Sequence, residues 1–304
     1  MQARARYTTC FVALAMAALL MIGCRSHKAR REMEDGKKEY MASNFKTAAE
    51  HFKAAAAFDD DLVAAKLDSG VAYSALYEPR VDTPENERFG QQAIDAFQKA
   101  LEKDPRNLVG LKALGCTAMN MKRFEQAMDS RKKALAVDPT DPESYFWVGA
   151  VDWSAVYEDT RVRKTKLGLG TEDPFRDTQN DRQVCQEIRA VDASHVAEGI
   201  AMLQKAIEKW PDDDDAMVLL HLLYLRRADM QCQDPKAQAE DRRLSEQMIN
   251  EAMAARKRRV LAETNPVEHV DPFDRSSGIV VRSGCLPPFF YLAKPRAPIE
   301  KRAQ

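Results

Sequence analysis

An interval of 34 residues recurs in the middle of this chain, between residues 93 and 149. It separates three pairs of small residues or prolines: Ala93 and Ala127, Pro105 and Pro139, and Gly115 and Gly149. Small residues let two helix backbones approach closely, and a proline ends a helix because it cannot continue the helix interior. A period of roughly 20–50 residues is typical of stacked supersecondary units. The stretch therefore predicts a repeated pair of helices closed by a proline.

Other residues of the same stretch fit this interpretation. Phe97, Leu114 and Phe124 supply large apolar side chains that can fill the space between units. Asn107 and Asp141 follow the two prolines and can cap the next helix. The pattern resembles the tetratricopeptide repeat (TPR), which has the same period. The resemblance implies an all-α fold, a TPR-like right-handed superhelical solenoid of about five helix pairs, over residues 34–263.

Weaker copies of the repeat flank the central stretch. Repeat one, which has Gly36 and Phe52 at pattern positions, is degenerate at its start, as expected of a terminal repeat with a polar outer face. Two insertions, residues 77–90 and 158–193, separate the two helices of repeats two and four. Equivalent turns of a repeat array lie along one edge, so we expect the insertions side by side, where functional surfaces often occur.

The first 23 residues are excluded from the predicted fold. Arg4 and Arg6 precede an apolar run, residues 10–22, that is too short to cross a membrane as a stable helix, and Gly23-Cys24 follows. This segment, residues 1–23, resembles a bacterial lipoprotein signal peptide. The resemblance implies that Cys24 is lipidated on its thiol and becomes the mature N-terminus, and it favours the outer membrane. An ordinary secretory signal and an uncleaved anchor are the alternatives.

Two further segments lie outside the predicted repeats. Residues 24–33 are polar and basic and are predicted to be a tether. Residues 264–304 contain six prolines and are predicted to be a disordered tail. Within the tail, Pro287-Pro288-Phe289-Phe290-Tyr291 is either a docking motif or a loose apolar segment.

Charge and cysteine usage narrow the possible functions. The formal net charge is −1, so the chain lacks the net positive charge that would indicate nucleic-acid binding. The six cysteines form no CxxC pair and the five histidines are scattered, so we predict no metal site. No nucleophile–base grouping, phosphate-binding loop or paired-acid motif is recognisable in the sequence. We therefore predict that the chain is not an enzyme and needs no cofactor.

Two runs of like charge are interpreted as helix ends. Asp212 to Asp215 precedes a predicted helix and Arg256 to Arg259 closes one, and the helix dipole favours these signs at these ends. The alternatives are a calcium loop in the acidic run and a lipid or nucleic-acid patch in the basic run. The acidic run lacks the alternating oxygen ligands of a calcium loop.

The TPR resemblance also implies a groove for a partner, because the first helices of TPR units line a concave surface that accepts peptides. The groove residues carried over to this sequence are Lys112, Met119, Asn120, Phe146, Trp153, Leu222 and Leu225. The Lys/Asn clamp by which some TPR proteins hold a peptide carboxylate is incomplete, because Cys116 stands at the Asn position. Phe146 and Trp153 are either anchors for a partner or are covered by the segment 158–193.

Residues 145–227 carry a narrower resemblance, to a group of uncharacterised bacterial TPR lipoproteins. Its motifs are Lys166-Leu167-Gly168, Glu172-Asp173-Pro174 and Leu222-Leu223-Tyr224. The group implies no activity. The sequence thus predicts a lipid-anchored adaptor or scaffold on the periplasmic face of the outer membrane, which binds a protein or peptide and not nucleic acid. The alternative is an accessory lipoprotein of an envelope transport system that binds a small ligand.

Overall fold

The computed structural model describes residues 25–176 and 178–264, and every regular element in these ranges is an α-helix. The helices are α1 (25–41), α2 (Phe45–Phe58), α3 (Val63–Leu76), α4 (Pro84–Lys103), α5 (Leu108–Asn120), α6 (Phe124–Val137), α7 (Pro142–Lys166), α8 (Gln179–Lys209), α9 (Asp214–Asp229) and α10 (Pro235–Thr264). The predicted signal peptide, Cys24 and the predicted tail beyond residue 264 lie outside the described residues.

The chain divides into two compact units, and the boundary falls inside α5, between Thr117 and Ala118. In the first unit α2 packs against α3, and α3 packs against α4. Two glycines of this unit lie directly against phenylalanine rings. A Cβ atom at Gly36 would lie 2.7 Å from the ring of Phe52, and one at Gly70 would lie 2.5 Å from the ring of Phe97. A larger residue at either position would push the helices apart.

The second unit contains helices α6 to α10. Helix α7 packs against α6, α8 and α9, and α9 packs against α10. The core consists of buried apolar side chains from α7, α8 and α9, among them Val148, Val151, Val156, Ile188, Leu203, Leu219 and Leu223. A Cβ atom at Gly149 would lie 2.6 Å from Cγ of Leu203, so this glycine lets α8 approach α7.

The two predicted helix caps, Asn107 and Asp141, are confirmed, and Asp234 forms a third. The side chain of Asp141 accepts a hydrogen bond of 3.1 Å from the amide two residues on, and Pro142 is the first residue of α7. Asn107 and Asp234 each accept from the amide three residues on, at 2.9 and 3.0 Å. Each cap satisfies an amide at the start of a helix that has no partner within the helix.

Residues 25–33, predicted to be a tether, instead form the first part of α1. Ala29 is 1% exposed and Met33 is 8% exposed, so one face of this segment is buried. The two residues are four positions apart and therefore share a helix face. In the sequence this short apolar stripe is difficult to recognise, because basic residues surround it. The tether prediction is therefore wrong for these residues.

Half of the first predicted insertion and most of the second are helix. Helix α4 begins at Pro84, so only Tyr77 to Thr83 connects it to α3, and the hydroxyl of Thr83 caps it by accepting from the Asn86 amide at 3.2 Å. Helix α7 continues to Lys166 and α8 begins at Gln179, which leaves residues 167–178 as the connection. The TPR pattern fixes helix length, so it could not predict these extensions.

Candidate functional site

The residues predicted to line a partner groove differ in exposure. Met119, Phe146 and Trp153 are 0%, 9% and 2% exposed. The other four predicted groove residues are half-buried: Lys112, Asn120, Leu222 and Leu225. An open groove is wrong at the first three positions, because those side chains are already packed inside the protein. The half-buried positions stay a prediction.

A pocket of about 650 Å³ opens between α6, α7 and α8 in the second unit. Most of the surface of the pocket is apolar, and its apolar residues are Phe124, Met128, Ala136, Val151 and Ala155. Charged and titratable side chains complete the lining: Glu125, Asp129, Lys132, Lys133, Asp152 and His195. The predicted groove residues do not contribute to it. The volume lies within the range of about 300–1,000 Å³ that is usual for ligand pockets.

Asp152 and His195 form a hydrogen-bonded pair in the pocket wall. Asp152 on α7 is fully buried, and its Oδ1 lies 2.9 Å from Nδ1 of His195 on α8, whose side chain is 47% exposed. Oδ2 of Asp152 has no hydrogen-bond partner among the described residues. Burial raises the pKa of Asp152 to about 7, although the hydrogen bond to His195 opposes the shift. Asp152 therefore changes its protonation state near neutral pH.

A second buried acid lies one turn before His195 on α8. Asp192 is 3% exposed, and its Oδ2 also has no hydrogen-bond partner among the described residues. Burial raises the pKa of Asp192 to about 7, and the charge and hydrogen bond of Asp159 on α7 add to the shift. Asp159 in turn accepts a hydrogen bond of 2.6 Å from Nε of Arg163. The contact between α7 and α8 thus brings Asp152, Asp159 and Asp192 together with the imidazole of His195.

The lysines at the pocket mouth are engaged in surface ion pairs. Nζ of Lys132 lies 2.7 Å from Glu198, and Nζ of Lys133 lies 2.7 Å from Asp129. Exposed pairs of this kind contribute about 0–1 kcal/mol and are weakened by salt. The charged part of the lining therefore carries both signs.

Two buried cations hold the connection between α7 and α8. Nζ of Lys164, which is fully buried, donates to the carbonyls of Thr171 and Asp173 at 3.0 and 2.8 Å and to the carboxylate of Asp229 at 2.8 Å. Arg226 is 3% exposed, donates to the same Thr171 carbonyl at 2.9 Å and pairs with Asp229 at 3.1 Å. These bonds hold the loop against α7 and α9.

A disulfide joins Cys185 to Cys232, with 5.8 Å between their Cα atoms. It links the first turns of α8 to the segment between α9 and α10. This bond was not predicted, because two cysteines 47 residues apart carry no local spacing signal. The available signal was the even number of cysteines, six, in a chain with a predicted export signal.

The acidic and basic runs pair with each other in the second unit. Arg256 lies 2.7 Å from Asp214, Arg259 lies 2.5 Å from the same carboxylate, and Arg258 lies 2.5 Å from Asp212. Asp213 also caps α9 by accepting from the amide three residues on, at 3.0 Å. The interpretation of the acidic run as a helix end is confirmed.

Neither Asp152 nor His195 was among the predicted site residues. The available signal was one carboxylate within the mainly apolar stretch of residues 146–156. A carboxylate in such a stretch needs a polar partner when the helix is buried, because burial of an unpaired charge is costly. His195 could not be assigned as that partner from sequence, because it lies 43 positions away on another helix.

Within the described ranges, none of the helices combines the length and apolar character needed to cross a membrane. No protein-family model and no curated protein matches this sequence.

Solved structures of TPR proteins do resemble the fold. A crystal structure of MamA aligns with a TM-score of 0.51 and 14% identity, covering 80% of this chain and 98% of that one. MamA from Desulfovibrio magneticus aligns with a TM-score of 0.50 and 14% identity, covering 76% of this chain and 96% of that one. YrrB, described as a TPR protein with an unusual peptide-binding site, aligns with a TM-score of 0.46 and 14% identity, covering 77% of this chain and 89% of that one. The two MamA alignments establish the fold alone, and the predicted all-α fold of TPR type is confirmed.

Proposed function

We propose that this chain is a lipid-anchored TPR adaptor of the bacterial cell envelope, on the periplasmic face of the outer membrane, and that it binds a protein or peptide. The observation that carries the binding role is the apolar pocket between α6, α7 and α8. The pocket is built on helices, which hold its wall in place more rigidly than loops would.

The proposed location is supported by two independent features. The disulfide between Cys185 and Cys232 is of a kind that persists in oxidising compartments, the bacterial periplasm among them, and is rare in the cytosol. The resemblance of residues 1–23 to a lipoprotein signal peptide supplies the export route and, through Cys24, the attachment to the membrane.

The pocket suits an apolar side chain of a partner. Phe124, Met128 and Val151 offer apolar contact, and methionine adapts its shape to different partners. Lys132 and Lys133, already paired with acids at the mouth, would form the polar rim of such an interface. Most of the affinity would then come from one or two apolar anchors that fill the pocket.

Blocking the pocket tests this role. Ala136 is an exposed residue of the pocket wall, so Ala136→Trp should fill part of the pocket without disturbing the core. The matched control is Ala201→Trp, on an exposed position of α8 that does not line the pocket. We expect a protein retained from envelope extract by the wild type and by Ala201→Trp, and at least tenfold less of that protein retained by Ala136→Trp. Equal retention by all three proteins would contradict the proposal.

A second function, storage or transfer of a small ligand in envelope transport, is favoured by the pocket's volume of about 650 Å³. This space exceeds that of a single side chain and suits a small molecule. Native mass spectrometry of the protein purified under gentle conditions separates the two functions. A small molecule retained by wild type and absent from Ala136→Trp would favour the transport role, whereas a mass equal to that of the bare chain, together with capture of a protein, would favour the adaptor.

A further inference from the structure

The contact between α7 and α8 contains more carboxyl groups than cations able to neutralise them. Asp152 and Asp159 project from α7, and Asp192 projects from α8 into the same contact. Asp152 and Asp192 are almost completely buried, and each has one oxygen without a hydrogen-bond partner among the described residues. A buried carboxylate in this state is costly, whereas a protonated carboxyl group is tolerated.

The neighbours of Asp152 do not supply a full counter-charge. The groups that face it are His195 and Glu198 on α8 and Lys132 on α6. Lys132 is an exposed residue already paired with Glu198. The neighbour from α9 is apolar: Leu223 packs against Gly199 on α8. Asp152 lies against the same glycine.

The neighbours of Asp192 include another acid. Asp159 faces it from α7 and raises its pKa through charge and a hydrogen bond, which two carboxyl groups can form only when one of them carries a proton. Arg163 on α7 and His195 on its own helix act in the opposite direction. Arg163 also forms ion pairs with Asp159 and Glu187, so its positive charge is shared with two other carboxylates and does not neutralise Asp192 alone.

We propose that the contact between α7 and α8 is a proton-sensitive joint: protons held by Asp152 and Asp192 keep the two helices together, and loss of these protons loosens them beside the pocket. Because Asp152 and His195 line the pocket, the loosening would act on the pocket wall directly. The inference concerns the chain's own structure and does not depend on which partner the pocket accepts.

The sign of the effect follows from the direction of the two shifts. Both groups have a pKa in the folded protein of about 7, above the ordinary value of 3.8. At pH values between 3.8 and about 7 the folded state therefore binds more protons than the opened state. The stabilisation is fully present at low pH and is lost as the pH rises through about 7. Between pH 6 and pH 8.5 the opening equilibrium should shift by about tenfold for each group.

The first test is a titration of the full mature chain labelled with ¹³C at aspartate carboxyl carbons. We expect two carboxyl resonances to titrate near pH 7, one absent from Asp152→Asn and the other absent from Asp192→Asn. Asparagine has the size of a protonated aspartate and cannot ionise, so these variants should fold. Titration of every aspartate below pH 5 in the wild type, a measurement that needs no variant, would overturn the proposal.

The second test measures hydrogen exchange of the amides of α7 and α8 at pH 6 and pH 8.5, corrected for the intrinsic exchange rates. Protection in the wild type should fall at least tenfold at the higher pH, and the double variant Asp152→Asn, Asp192→Asn should lose this dependence. Asp129→Asn, which alters an exposed carboxyl of the pocket mouth, should behave like the wild type. Equal protection of the wild type at the two pH values would show that the joint does not respond to protons.

Discussion

The loop between α7 and α8 should depend on one buried ammonium group, that of Lys164. Lys164→Met keeps most of the apolar length of the side chain and removes its charge and its three hydrogen bonds. It also removes the contact of the ammonium with the ring of Phe175, 4.8 Å away. The change therefore tests whether buried polar bonds, rather than apolar contacts, hold the loop.

The magnitude follows from what the remaining groups can do. Removing one partner of a buried ion pair usually costs about 3–5 kcal/mol. Here the Thr171 carbonyl and the Asp229 carboxylate keep their bonds to Arg226, at 2.9 and 3.1 Å, and only the Asp173 carbonyl loses a donor without that compensation. We therefore expect a loss near the lower limit, about 3 kcal/mol. For a unit of this size the midpoint of thermal unfolding would fall by about 6–12 °C.

Urea unfolding of the mature chain measures the loss, and hydrogen exchange shows where it arises. The matched control is Lys166→Met, two residues further on, whose side chain is exposed. The control should change stability by less than about 0.5 kcal/mol. Exchange in residues 167–176 should rise in Lys164→Met and not in the control. If both variants unfold at the same urea concentration, the buried ammonium does not stabilise the loop and the reasoning is refuted.

Three further predictions follow from burial, covalent linkage and the N-terminal motif. Trp153→Ala should destabilise the second unit by about 3–5 kcal/mol, because the side chain is 2% exposed, whereas Trp210→Ala, at a residue 42% exposed, should cost much less in the same thermal unfolding assay. Replacing Cys185 and Cys232 together by serine should cost about 4 kcal/mol for a separation of 47 residues, measured by urea unfolding, and a reducing agent should then have no further effect at this bond. Cys24→Ser should prevent incorporation of labelled fatty acid and block signal-peptide processing; equal labelling of variant and wild type would show that Cys24 is not the attachment point.

The sequence predicted the fold because repeated packing contacts leave repeated residues. Gly70 lies against the ring of Phe97, and Gly149 lies against Leu203, so each glycine marks the closest approach of two helices. These contacts recur with the helix pair and produce a period that can be counted. Caps such as Asp141 are equally local, since the side chain bonds to an amide only two residues on.

The candidate site could not be predicted in the same way, because its contacts occur once and join distant parts of the chain. His195 reaches Asp152 across 43 positions, and Arg226 reaches the Thr171 carbonyl across 55. No period or short motif encodes such pairs. The groove prediction failed at Trp153 for a related reason: the pattern identifies the helix on which the residue lies, but not what packs over it.

Residues 158–193 are rich in charged residues, yet the last turns of α7 keep one face buried. Asp152, Val156, Thr160 and Lys164 succeed one another every four residues, so they lie along one face of the helix. Their exposures are 0%, 0%, 1% and 0%. Helix α7 thus keeps the same face buried as it passes beyond the length of a TPR helix, but the residues on that face become polar. Hydrophobic periodicity ends there although burial continues, because Asp152 and Lys164 find hydrogen-bond partners on α8, on α9 and in the loop. In such a helix, the sequence signal of burial is a polar residue at the same four-residue spacing as the apolar ones, and the chemistry of that residue then indicates what must lie opposite it.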